Sequence, residues 1–229
     1  MKTAIITGGG TGIGLATATQ LVAHGYRVIA GGMDREDELP EGVEFVKTDV
    51  TSIEELDSLM QRTDRIDALV NCAGVLRHDK EWEIDDFRFV MDINLTASLA
   101  AAKAALSGLE AAGGSIVNIA SMWSFFGSAG SPAYSASKGA IVSLTRSMAV
   151  AWGKKGIRVN AVAPGWVNTR MSSKAKNDPE RGPRIAARIP LERWAEPDEI
   201  GKVIRFLVSS DASYVHGVVL PVDGGYSVA

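Results

Sequence analysis

In the stretch YSASK, Tyr134 and Lys138 stand four residues apart, a spacing that places both side chains on one face of a helix. A free phenol ionises at about pH 10 and is a poor base at neutrality. A neighbouring ammonium favours the phenolate, so the pair could give a proton to a ketone oxygen or take one from an alcohol. An isolated Tyr-x-x-x-Lys pair on a helix surface does neither, and its setting decides. Far upstream, TGGGTGIG (7–14) carries Gly8, Gly12 and Gly14. Glycines let the backbone turn tightly and approach a ligand. A helix starting there offers free N–H groups and a positive dipole end to a pyrophosphate. A strict G-x-G-x-x-G spacing would need glycine at 13, where Ile13 stands; the spacing present is G-x-x-x-G-x-G. Asn94 lies inside a helical pattern, where its amide competes for backbone partners. Ser121 closes an apolar run, with Ser124 three residues on.

These residues need elements to position them. Short β-rich runs are read at 2–7, 26–31, 43–50, 66–71, 114–121, 157–165 and 217–225. Helical patterns are read at 13–25, 52–62, 84–113, 133–156 and 197–209, the last with proline at its first position. Strands alternating with helices predict an α/β fold, a doubly wound, largely parallel sheet flanked by helices on both faces. Ligands of such sheets sit beyond the carboxyl ends of the strands. The segments GGGTGIG, DV, NCAG, ASM and PGWVNT all fall there.

The motifs TGGGTGIG, NCAG (71–74), INLTAS (93–98), NIAS (118–121), YSASK and PGWVNT (164–169) come in this order, and the chain resembles the short-chain dehydrogenase/reductase family. VDGG (222–225) extends the resemblance nearly to the C-terminus. It implies a single-domain Rossmann-like fold over 1–229, a nicotinamide cofactor, and hydride transfer between a secondary alcohol and a ketone. It also implies a catalytic tetrad: Asn94 distorting its helix and serving a proton relay, Ser121 bonding the substrate oxygen, Tyr134 moving the proton, and Lys138 tuning the phenol and holding a ribose hydroxyl. By the same resemblance Gly8, Thr11, Gly12, Ile13 and Gly14 cradle the cofactor phosphates, and Asp49 and Val50 meet the adenine. Asn71, Ala73 and Gly74 lie beside the nicotinamide ribose. The Val167 backbone and Thr169 hold the carboxamide, and Pro164 and Gly165 are further cofactor contacts. Tyr134 and Lys138 also contact the cofactor.

Asp34 lies twenty residues after Gly14, the distance at which a carboxylate usually binds the ribose of NAD. The family's usual acidic position corresponds to Gly32, and its NADP-marking arginine to Met33. Arg35 is surrounded by Asp34, Glu36, Asp37 and Glu38, which disfavours a 2′-phosphate, so NAD is expected ahead of NADP. Residues 170–194 are read as a substrate lid or a solvated surface. Trp123, Phe125, Phe126 and Trp166 are read as pocket walls or as ordinary packing. His24, His78 and His216 match no metal spacing, and none is expected. The small-residue helices imply, by resemblance, a homodimer or homotetramer.

The composition bounds the rest. Of 229 residues, 46% are hydrophobic and 22% charged, ordinary for a globular chain. The net charge of −3 leaves no basic footprint for nucleic acid. The single cysteine, Cys72, cannot form an intrachain disulfide, which suits the cytoplasm. The apolar run in MKTAIITGGG is too short for a signal-peptide core, and no stretch reads as a membrane helix. The function that the resemblance implies is an NAD(P)-dependent oxidoreductase for a small alcohol or ketone. The alternatives are a 3-oxoacyl-carrier-protein reductase and a non-catalytic dinucleotide-binding regulator.

Overall fold

Ile5 faces one way from the first strand while Ala4 and Ile6 face the other, and all three are fully buried. Such a strand must be covered on both sides. The computed structural model describes residues 1–229 and meets that demand with a seven-stranded, wholly parallel sheet. Its strands are β1 (Lys2–Thr7), β2 (Tyr26–Gly32), β3 (Val43–Lys47), β4 (Ala68–Asn71), β5 (Ser115–Ile119), β6 (Arg158–Pro164) and β7 (Val219–Val222), in the order β3-β2-β1-β4-β5-β6-β7. Ile5, Leu69 and Ile116 pack beneath α2 (Ile53–Met60), α4 (Ala97–Ala104), α5 (Leu106–Ala112) and α6 (Pro132–Trp152). Ala4, Ile6, Val70 and Val117 pack beneath α1 (Gly12–Val22) and α7 (Pro197–Val208). The chain runs outward from β1 to β3 and then returns to β4 on the other side of β1. That reversal opens a crevice at the carboxyl ends of β1 and β4.

Two expectations need correction. The helix read over 84–113 is not one rod. It comprises α3 (Ile84–Met91), a π-helical turn (Asp92–Thr96), α4 and α5, with a 56° bend between Ala104 and Leu106. Beyond the bend α5 lies close against the chain before β4. A Cβ on Gly108 would come within 2.9 Å of Ile66. The alternation of strand and helix also fails once. Residues 33–42 join β2 to β3 without a helix, although parallel neighbours usually need a longer crossover. This polar, acid-rich link has no apolar periodicity to bury. It is tied instead to the glycine loop, where the Glu36 N–H donates to the Gly10 carbonyl at 2.9 Å. Edge strand β3 stays only half-buried. No single helix is long and apolar enough to cross a membrane.

Candidate active site

Helix α6 carries Tyr134 and Lys138 on consecutive turns, Lys138 buried and Tyr134 half-buried. Lys138 is 4% exposed, and its Nζ donates to the Ile119 carbonyl at the end of β5 at 2.7 Å. The ammonium lies 5.6 Å from the centre of the Tyr134 ring. Ser121 follows β5 and caps a short 3₁₀ turn, its Oγ accepting the Trp123 N–H at 3.2 Å. Ser124 is committed to that turn: its Oγ donates to the Lys138 carbonyl at 2.8 Å and accepts the Ser121 N–H at 3.2 Å. Asn94 occupies the π-helical turn and is 1% exposed. Its Oδ1 accepts the Val75 N–H at 2.8 Å, and its Nδ2 donates to the Val75 carbonyl at 3.0 Å and to Ser137 Oγ at 3.2 Å. The amide thus fixes the loop after β4 against α6. Gly74 separates it from Lys138: a Cβ there would lie 3.4 Å from Asn94 Oδ1 and 3.7 Å from Lys138 Nζ.

Burial dominates the electrostatics of the pair. It pushes the Tyr134 phenol up to about 12; the Ser121 hydrogen bond pulls the other way, and Cys72 and Glu81 add to the rise. It draws the Lys138 ammonium down to about 8, with Cys72 opposing. In the protein alone the rise from burial dominates, and Lys138 is not among the groups that pull the phenol down. The phenol is protonated at neutral pH, ready as an acid. Cys72 is likewise pushed up to about 12 by burial, so it is a protonated thiol rather than a nucleophile.

Two adjoining clefts meet at Tyr134. The first, about 530 Å³, is walled by Gly8, Thr11, Gly12, Ile13 and Gly14 on one side, and by Ala73, Gly74, Lys138 and Thr169 on the other. Its shape depends on glycine. Gly8 (φ +68°) and Gly12 (φ +51°) are left-handed, and a side chain on Gly14 would overlap the Gly8 carbonyl. With the start of α1 at its end, this cradle fits a dinucleotide pyrophosphate. Several expected contacts lie off this wall. Asp34 has an exposed side chain, and only its backbone carbonyl lies close beside Gly10; the carboxylate lining the cradle is Glu36, 3.2 Å from Arg170. Asp49 turns to Thr51, Val50 joins the core, and Asn71 donates to Ser98 and Asn118 inside the protein.

The second cleft, about 730 Å³, is lined by Ser121, Tyr134, Trp123, Trp166 and residues 170–175, with Pro164, Gly165 and Val167 along its side. Trp123 and Trp166 meet edge to face at 6.3 Å. Phe125 is exposed, and Phe126 packs on Tyr226 at 6.4 Å. Only the two tryptophans of the expected aromatic wall therefore line it.

The family model described as "Enoyl-(Acyl carrier protein) reductase" matches residues 8–227. A cis-4-hydroxycyclohexanecarboxylate dehydrogenase from Sinomonas cyclohexanicum is 38% identical, the match covering 99% of this chain and 96% of the relative. A 2-dehydro-3-deoxy-D-gluconate 5-dehydrogenase from Bacillus subtilis is 35% identical, over 98% and 94%. A crystal structure with bound NADP, assigned as a 2-deoxy-D-gluconate 3-dehydrogenase from Agrobacterium tumefaciens, superposes with a TM-score of 0.92 at 36% identity, over 100% of this chain and 97% of the other. The chain belongs to the short-chain dehydrogenase/reductase family. It is an NAD(P)-dependent oxidoreductase that interconverts secondary alcohols and ketones.

One residue of the site was not singled out from sequence. Glu81 is fully buried, its Oε1 accepting the Arg77 N–H and its Oε2 the Tyr134 N–H, each at 2.8 Å. The Tyr134 N–H is among the first four of α6, which have no partner within the helix, and the N-cap Ser131 gives no side-chain cap. Glu81 supplies the missing acceptor from another segment, with its charge at the favourable end of the dipole. Its sequence setting, RHDKEWE, is an ordinary polar run, so only the three-dimensional contact distinguishes it. In Glu81→Gln an amide NH₂ meets a backbone N–H, at a cost of about 1–3 kcal/mol. Thermal melting should fall accordingly. Because the carboxylate also raises the phenol's pKa, the alkaline rise of alcohol oxidation should move to lower pH in this variant.

Proposed function

We propose that Tyr134 is the general acid in ketone reduction and the general base in alcohol oxidation, with Ser121 bonding the substrate oxygen and Lys138 serving the cofactor side. One observation carries this reading. Within the tetrad, Ser121 lines only the substrate cleft, Lys138 only the cradle, and Tyr134 both. A proton carrier must stand at that seam, within reach of the oxygen whose carbon exchanges hydride. The nicotinamide, when bound, supplies the hydride acceptor or donor. Asn94 supports the site by holding the Val75 backbone beside Lys138, at the place where a relay to solvent would begin. Tyr134→Phe should lower kcat by about a hundredfold to ten-thousandfold while leaving NADH binding, read by its fluorescence, intact. Unchanged turnover would overturn the assignment. Turnover confined to carrier-bound thioesters would favour the 3-oxoacyl-carrier-protein reductase instead.

Residues 170–194 act as a lid in this reading, since Arg170 to Ala175 and Arg181 border the substrate cleft. Assembly as a homodimer or homotetramer is part of it, supported by Phe89, Leu99 and Val150, which leave apolar surface exposed on α3, α4 and α6. So is a cytoplasmic location, resting on the lone thiol. NAD is the preferred coenzyme, because Glu36 lines the cradle and Asp34, Asp37 and Glu38 flank Arg35. A 2′-phosphate would bring further negative charge to this carboxylate. Glu36→Gln should raise the ratio of NADP to NAD in kcat/KM by about tenfold, equivalent to about 1.4 kcal/mol; an unchanged ratio would remove Glu36 from the selection.

A further inference from the structure

The substrate cleft has a wall of one sign. Arg77, His78 and Lys80 reach it from the segment after β4, and Arg170, Lys174 and Arg181 from the segment after β6; no carboxylate lines it. The whole chain has 24 Lys and Arg against 27 Asp and Glu, so composition does not account for the bias. Three of these groups are already engaged. Arg77 pairs with Asp86 and lies 3.9 Å over the Phe89 ring, Arg170 pairs with Glu36, and His78 Nδ1 contacts the Gly130 carbonyl at 2.9 Å. The ammonium groups of Lys80 and Lys174 and the guanidinium of Arg181 have no ion-pair partner. The nearby Asp178 takes the backbone N–H of Arg181 at 2.7 Å and does not line the cleft.

These three cations border the substrate cleft and not the cradle, so the anion they would meet is not the pyrophosphate. Like charges gathered on a low-dielectric cleft raise the local concentration of an oppositely charged ligand. Trp123 and Trp166 give the same cleft two flat apolar faces, and its volume suits a ring-sized molecule. Resting on the dehydrogenase reading above, we propose that the substrate is a hydroxy or oxo carboxylate. Its apolar body lies against Trp123 and Trp166, and its carboxylate is held by Lys174 and Arg181 with Lys80. In oxidation the carbinol oxygen would give its proton to Tyr134 in the phenolate form, and a bound oxidised coenzyme would take up the hydride that the carbinol carbon loses. The product is the ketone, and the carboxylate is unchanged.

The test compares 4-hydroxycyclohexanecarboxylate, 3-hydroxybutyrate and gluconate, each with its own primary amide, in the full-length protein with coenzyme. At least one acid should exceed its amide in kcat/KM by about tenfold or more, about 1.4 kcal/mol. The Lys174→Gln/Arg181→Gln double variant should raise KM for that acid and erase the advantage. Lys202→Gln, a surface cation lost on α7, is the control and should change neither. Binding is measured in parallel by tryptophan fluorescence of the coenzyme-loaded protein, titrated with cyclohexanecarboxylate and with its amide. Tighter binding of the acid, lost in the double variant, supports the proposal even if no compound is turned over. Absence of turnover counts against the dehydrogenase reading alone. The carboxylate proposal is overturned if amides match their acids in kcat/KM, or, with no turnover, if the acid binds no tighter than the amide.

Discussion

The site depends on placing a half-buried phenol beside a buried ammonium. Either group alone would be costly to bury in its charged form, and the protein answers by shifting both toward neutrality. The phenol is pushed up to about 12 and the ammonium down to about 8. The Ile119 carbonyl gives the ammonium a fixed partner, so its position is set before any ligand arrives. Preorganisation of this kind keeps the cost of ordering polar groups out of the reaction itself. The pair therefore rests as a proton donor, and the base form has to be produced by changes that accompany ligand binding.

The fold converges on that pair from several directions. Strand β5 delivers Ser121 and the Ile119 carbonyl, the π-helical turn delivers Asn94, and the segment after β4 delivers Glu81. The Lys138–Ile119 and Tyr134–Glu81 contacts each join backbone in one element to a side chain in another. The position of Tyr134 is therefore over-determined by chain segments far apart in sequence. The same arrangement gives the two clefts different walls: glycine-lined backbone in one, tryptophans and cations in the other.

Much of this was legible in the chain. The spacing of Tyr134 and Lys138, the glycines at 8, 12 and 14 and the periodicity of the strands are local patterns, so their consequences could be read locally. Asn94 was visible as an anomaly, an amide inside a helix, and it proves to sit in a π-helical turn. The remainder depends on long-range contact. Glu81 gains its role from an N–H fifty-three residues away. Asn71 follows a motif that points to the cofactor, yet its amide is spent on Asn118 and Ser98 in the interior. Residues 33–42 lack a helix because nothing in that acidic link has an apolar face to bury. The bend after Ala104 reflects close packing of α5 on Ile66, which no periodicity within 84–113 records.

Ionisation of Tyr134 itself reports on the central claim. Tyrosine ring carbons labelled with ¹³C give one resonance for each of the four tyrosines, and the signal lost in Tyr134→Phe identifies the one of interest. The account predicts that, in the coenzyme-free protein, Tyr134 is still protonated at the pH where added free tyrosine is half-ionised. A Tyr134 that titrates with free tyrosine, or before it, would contradict the claim that burial outweighs Lys138 in setting the phenol's charge.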